Sequence, residues 1–307
     1  DVGLLAPHGD HWSTGVVVVN RVLLAVFGLD SYLPWGLVPI LMHASIMAAM
    51  WLLLVRLDVR RWTATAIIVF LTFMGAAAEA FLWDATMNLL GSLLMGVLAL
   101  HVVLRTLDLR RLIVLWTALV VGLSFSGAGI PVLLCVTLTA WGLHGWRTAM
   151  RVASVPLLAF VAWYVEHGRA GSAGLLDPLT KYLDVPVYVW TGITDSFDKA
   201  TGTPGDGVLI LACLLVAPIV SPRRGPLRVV SIAGLAGAAS QLTLVGMTRI
   251  DFGTDQASSG RYLYLICVLS APAAALLIEP LLSASRTWVV AIAGIASVIL
   301  TAQAVQG

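Results

Sequence analysis

The chain has 307 residues, of which 59% are hydrophobic and 11% charged, and its mean hydropathy is +0.95. A soluble domain carries about 25% charged residues, so a soluble globular protein is excluded and most of this surface has lipid as its solvent. The net charge of +2, with no basic patch interleaved with aromatics, sets nucleic acid aside as a partner.

In chain order, residues 1–13 (DVGLLAPHGDHWS) are neither a signal peptide nor a span. They read as the middle of an outer loop, and one further span is expected upstream of Asp1. Residues 14–29 are apolar but short and carry Asn20 and Arg21 centrally, so an interfacial helix on the outer leaflet is expected. Ten spans follow, at about 33–55, 62–81, 88–105, 111–125, 130–143, 152–165, 207–221, 229–247, 262–279 and 287–304. The pair 111–125 and 130–143 has a second reading as one re-entrant hairpin. Within the long polar stretch 166–206, residues 178–197 mix Tyr182, Tyr188 and Trp190 with acids, which fits a helix at headgroup level. The expected fold class is an all-α polytopic membrane protein, one membrane domain over 1–307. It has about ten transmembrane helices, or eleven with the upstream span, plus outer-face juxtamembrane helices. Its outer segments are 1–32, 166–206 and the late loop 248–261.

Charge orients this arrangement. The loops RLDVRR (56–61), RTLDLRR (105–111), HGWRTAMR (144–151) and PRRGPLR (222–228), with Arg286, hold 12 of the 18 basic residues and only two acids, Asp58 and Asp108; Glu279 lies close by. Basic loops stay cytoplasmic, so the acidic face is expected to point outward. Arginine outnumbers lysine 16 to 2 in an Ala-, Val-, Leu- and Gly-rich chain, which points to a GC-rich bacterial genome and hence a bacterial plasma membrane. Cys135, Cys213 and Cys267 all fall inside predicted spans and imply neither a disulfide nor a metal motif.

Four places on the outer side can carry chemistry. The first is His8-Gly-Asp10-His11-Trp12. A carboxylate beside imidazoles serves as a general base; His8, Asp10 and His11 also suit a divalent metal; or Asp10 or Ser13 caps the next helix. The second is Glu79 with Trp83 and Asp84. An ionisable group at the membrane edge faces a cavity or a partner, or is a helix-end carboxylate. The third is Arg249 through Asp255, then SSGRYLY (258–264). Arginine is disfavoured on the outer face, and its planar fork fits phosphate. Arg249, Arg261 and Tyr262 are therefore read as phosphate ligands, or as snorkelling and belt residues. The fourth is SFSGAGIP (124–131), a Gly-rich turn better explained by tight helix packing, with Ser126 as a site-lining candidate. His43 is expected to face a cavity or bond to backbone, and His101 to sit near the cytoplasmic edge. In 166–205, a solvated face accounts for most of Glu166, His167, Lys181, Asp195 and Asp198.

An acidic, His-bearing outer loop leads into an apolar juxtamembrane helix (GDHWSTGVVVVNRVLLAVFGL). A proline-containing span (YLPWGLVPILMHASIMAAMWLLL) and a basic turn (RLDVRR) follow. In this order the chain resembles the GT-C superfamily of integral-membrane glycosyltransferases, near the protein mannosyltransferases and the actinobacterial arabinosyl- and mannosyltransferases. The resemblance implies a polyprenyl-phosphate sugar donor, inversion at the anomeric carbon, and a carboxylate base in the first outer loop. Asp10 corresponds to the second of that family's acids, the one just before the His. GRYLY resembles the late Arg-Tyr used near the lipid phosphate, which implies that role for Arg261. There is no DxD, and no motif names a sugar.

The expected function is transfer of a sugar from a polyprenyl-phosphate donor to a glycan, lipid or protein hydroxyl at the outer face. Asp10, His11, Glu79 and Asp84 are the catalytic candidates; Arg249, Arg261 and Tyr262 hold the donor phosphate; Trp12, Trp83 and Ser126 line the acceptor side. No cofactor is assigned, and a divalent metal is the alternative use of His8, Asp10 and His11. Two other classes compete. A transporter or lipid flippase needs midplane charges and an inverted repeat, and the sequence shows neither. A non-catalytic GT-C-like subunit would keep the architecture without a competent base.

Overall fold

A computed structural model describes residues 3–8, 11–171, 179–221 and 225–284. Apart from a two-residue antiparallel ladder, β1 (Pro7–His8) with β2 (His11–Trp12), its regular structure is helical. The α-helices are α1 (Thr14–Phe27), α2 (Leu33–Arg56), α3 (Arg61–Thr72), α4 (Glu79–Leu82), α5 (Met87–Val103) and α6 (Leu109–Leu123). They continue with α7 (Gly129–His144), α8 (Trp146–Glu166), α9 (Val185–Thr201), α10 (Asp206–Val220), α11 (Pro226–Arg249) and α12 (Gly260–Ala284). The chain forms two compact units, residues 1–49 with 80–177 and residues 50–79 with 178–307, and α2 passes from the first into the second.

In the first unit α5 to α8 run up and down. Asp108 caps α6 by accepting the Arg111 N–H at 2.8 Å. Gly145, at φ 85°, turns α7 directly into α8. The His144 ring Nε2 lies 2.7 Å from the Val103 carbonyl, and the Trp116 indole donates to Arg151 O at 2.8 Å. These bonds bring the two basic loops, 105–111 and 144–151, to one end of the unit. At the other end Phe125 wedges between helices. A Cβ on Gly15 of α1 would stand 2.8 Å from its ring, and one on Gly91 of α5 only 2.3 Å. The Gly15 N–H donates to Ser124 O at 2.8 Å. Close helix packing is thus what the SFSGAGIP turn provides, as its glycines led one to expect. Ser13 occupies the N-cap position of α1 but makes no side-chain cap bond, so the capping reading fails for it. Val22, Val26 and Phe27 on α1 stay exposed.

In the second unit α11 lies tightly on α12. A Cβ on Gly234 would stand 2.2 Å from the Leu269 carbonyl oxygen, so only glycine fits there. Two contacts fix the path of residues 61–79. At one end the Arg60 N–H, at the N-cap of α3, donates to the buried Glu279 carboxylate at 3.1 Å. At the other, Gly260 meets the Ala76 carbonyl and Glu79. Residues 61–79 therefore run along α12 from Glu279 to Gly260, about 30 Å at 1.5 Å per residue. Only the twelve residues of α3 are α-helical in the first part of this path; Phe73 ends the helix and Gly75–Ala77 form a 3₁₀ turn.

Among the described residues four helices are long and apolar enough to cross a membrane: α2, α8, α11 and α12 over Gly260–Pro280. Residues Tyr182–Thr201 and Asp206–Val220, bent by 107°, make a fifth if they count as one broken span. The described helices do not by themselves make ten separate spans. Helices α3, α5, α6, α7 and α10 have 12, 17, 15, 16 and 15 residues, short of the ~20 that a spanning helix needs. The bent pair that passes together as one span is α9–α10. Gly202 and Gly205, at φ 74° and 93°, turn the chain there. Arg286 and the expected span 287–304 lie outside the described residues.

Candidate functional site

The second unit gathers the polar residues at the end where α11 finishes and α12 begins. Arg249, the last residue of α11, donates from Nη1 to the Tyr262 hydroxyl at 3.2 Å. The Arg261 guanidinium carbon stands 5.1 Å from the centre of the Tyr262 ring, a cation–π distance. Arg261 Nε is buried and has no hydrogen-bond partner among the described residues. Neither guanidinium has a carboxylate within ion-pair distance among those residues. The three residues expected to hold phosphate are thus brought together. Their helices explain this: Arg249 closes one and Arg261–Tyr262 open the next, with only the short turns Ile250–Phe252 and Thr254–Ser258 between.

Two neighbours complete this end. Glu79 is half-buried, and its Oε2 stands 3.2 Å from where a Gly260 Cβ would be. Its carboxylate therefore borders the start of the 25-residue α12, the positive end of that helix. Tyr188 of α9 is fully buried, with Cδ1 3.1 Å from the position of a Gly246 Cβ. Its hydroxyl has no partner among the described residues, yet it lies within electrostatic reach of Arg249, Arg261 and Tyr262. From the sequence Tyr188 reads only as a belt aromatic. Asp198 also departs from the solvated face expected of it, and its neighbour Lys199 bonds to the Thr254–Ser258 turn. Lys199 donates to Ser258 O at 2.9 Å and Oγ at 2.8 Å, and Asp198 accepts the Gly207 N–H at 2.5 Å.

In the first unit the β1–β2 ladder pairs His8 directly with His11. The His11 Nδ1 packs against Gly127, 3.2 Å from where a Cβ would be, so His11 and the Ser126 turn share one locality. Trp12 is buried and stacks on Trp163 with ring centres 5.5 Å apart; its indole donates to Thr14 Oγ1 at 2.8 Å. The Trp163 indole in turn donates to Leu5 O at 2.9 Å. Trp12 therefore anchors the hairpin to the end of α8. Ser126 Oγ accepts the Ala128 N–H at 3.0 Å and lies 3.4 Å from Ser92 Oγ, so its hydroxyl closes the turn. Trp83 is about half exposed. Asp10 lies outside the described residues, and so does the side chain of Asp84. His43 is buried and stacks on Phe81 at 4.3 Å, while His101 Nε2 lies 2.9 Å from the Ala49 carbonyl.

Among the described residues no three of His, Cys, Asp and Glu come together as a metal cluster. The three cysteines are free, with Cys135 and Cys267 buried. No protein-family model, curated protein or solved structure matches the chain.

Proposed function

We propose that this protein is a membrane glycosyltransferase of the GT-C kind, moving a sugar from a polyprenyl-phosphate donor to an acceptor hydroxyl on the outer face of a bacterial plasma membrane. The observation that carries the reading is the pair Arg249 and Arg261 with Tyr262, two guanidiniums with no carboxylate partner among the described residues, where α11 gives way to α12. Guanidiniums left unpaired by protein acids suit an anionic ligand, and the planar fork suits phosphate oxygens.

The transfer itself is a displacement. The acceptor oxygen bonds to the anomeric carbon as the bond from that carbon to the phosphate oxygen breaks. The acceptor proton goes to a carboxylate, and polyprenyl phosphate leaves. The donor ester carries one negative charge and the departing phosphate nearly two. Two arginines therefore favour the departing group over the bound donor, which is how charge stabilisation accelerates such a step. Asp10 takes the proton in this reading, with His11 beside it and Asp84 on the acceptor side. Glu79, bordering the first residue of α12, belongs on the phosphate side, where it orders the helix start.

The test is donor binding. Arg261→Ala should raise the Kd for a polyprenyl-phosphate sugar about 10- to 100-fold, the worth of a hydrogen bond to a charged group, and should leave the melting temperature unchanged. Unaltered donor affinity in Arg261→Ala and Arg249→Ala removes the phosphate role and the transferase reading with it. Asp10→Asn should bind donor normally and lose turnover; full turnover moves the base to another carboxylate.

A further inference from the structure

We propose that Tyr188 is a third phosphate ligand, its hydroxyl donating to a phosphate oxygen held by Arg249 and Arg261. The inference rests on the phosphate reading of that site and adds a residue that neither the sequence pattern nor the family resemblance points to. Three observations carry it. Tyr188 is fully buried and its ring is seated against Gly246, so the hydroxyl is held in place. That hydroxyl has no partner among the described residues, although buried hydroxyls are normally satisfied. The ring's seat, Gly246, lies one turn before Arg249 on α11, and Arg249 in turn donates to the Tyr262 hydroxyl.

The chemistry of the unsatisfied groups selects the ligand. The Arg261 Nε–H can only donate, and the Tyr188 hydroxyl is free to do so. Tyr262 accepts from Arg249 through its oxygen, which leaves its own hydrogen available. Donors carried on α9, α11 and α12 match a group that only accepts and carries several oxygens. A phosphate ester is such a group, and its tetrahedral oxygens can meet donors from three helices at once.

The experiment uses the full chain in lipid nanodiscs, with geranylgeranyl phosphate and inorganic phosphate as separate probes. Binding is followed by calorimetry and by the ³¹P chemical shift. Tyr188→Phe keeps the ring and removes only the hydroxyl. Without ligand this variant should melt at or above the wild-type temperature, because an unpartnered buried polar group has been removed. Its Kd for geranylgeranyl phosphate should rise about 10- to 100-fold, with a changed ³¹P shift for the bound lipid. Inorganic phosphate should bind far more weakly than the lipid in the wild type.

A fall in melting temperature with unchanged binding would make the hydroxyl structural and overturn the proposal. If Arg261→Ala loses the lipid phosphate while Tyr188→Phe binds as the wild type does, the proposal falls and the phosphate site stands. If neither variant affects binding, both fall. Equal binding of inorganic phosphate, with an equal penalty in Tyr188→Phe, supports the tyrosine's role and overturns the lipid as the source of the phosphate. Should Tyr188→Phe not fold, 3-fluorotyrosine at position 188 replaces it. Its more acidic hydroxyl should change lipid-phosphate affinity by a measurable factor, and unchanged affinity overturns the proposal.

Discussion

Gly234→Ala should separate α11 from α12 and cost the chain several kcal/mol. Two effects oppose each other at this position. Alanine in a helix interior gains about 1 kcal/mol over glycine. Against that, its Cβ would stand 2.2 Å from the Leu269 carbonyl oxygen, which is backbone and cannot rotate away. Overpacking of this kind costs about 1–3 kcal/mol or more, and here the whole helix must shift to relieve it, so the steric term wins. In lipid no hydrophobic force pulls the two helices back together, since acyl chains are as apolar as the helix faces. Thermal unfolding of the purified chain in detergent measures the effect. Gly225→Ala is the control, because a Cβ there meets nothing within 4 Å and the backbone is extended. A Gly234→Ala chain that melts with the control would mean that the helices do not approach as closely as described.

Glu279→Ala should cost about 1.5–3 kcal/mol, the value of hydrogen bonds to a charged group, whereas Arg60→Ala should cost less than about 1 kcal/mol. The asymmetry follows from which atoms do the binding. Glu279 is buried and accepts the backbone N–H of residue 60 at 3.1 Å. The Arg60 guanidinium is mostly exposed and stands 3.9 Å away. Removing the arginine side chain leaves the backbone bond in place, but removing the carboxylate leaves the start of α3 without it. Chemical denaturation of both variants and of the double variant checks this. Equal costs for the two single variants would assign the stability to the ion pair instead of the helix cap.

The sequence made the helices legible where hydrophobic runs were bounded by charge or glycine. The starts and ends of α2, α5 to α8 and α10 to α12 fall close to the runs read from composition, because lipid demands apolar side chains along each helix. The gathering of basic loops at one end was legible for the same reason, and the His144–Val103 and Trp116–Arg151 bonds bear it out within the first unit. The break after Thr72 was not. MGAAAEA has the composition of a good helix, and what interrupts it is packing against α12 at Ala76 and Gly260, distant in sequence. Tyr188 was missed for the same kind of reason. What sets it apart is its seat against Gly246, distant in sequence, and a hydroxyl without a partner among the described residues, neither of which a local pattern records. Arg249 and Arg261 stood out because arginine beside the acids Asp251 and Asp255 departs from the expected charge pattern, and such a departure is itself a signal.

The interruption at residues 73–78 has a mechanical consequence. A continuous helix behaves as a stiff rod, so a displacement at one membrane surface is carried unchanged to the other. The segment between Arg60 and Glu79 is instead broken, with Met74 and Ala77 buried at the break. The Glu79 end and the Arg60 end are therefore held by separate contacts, one at Gly260 and the other at Glu279, with no continuous helix to couple them.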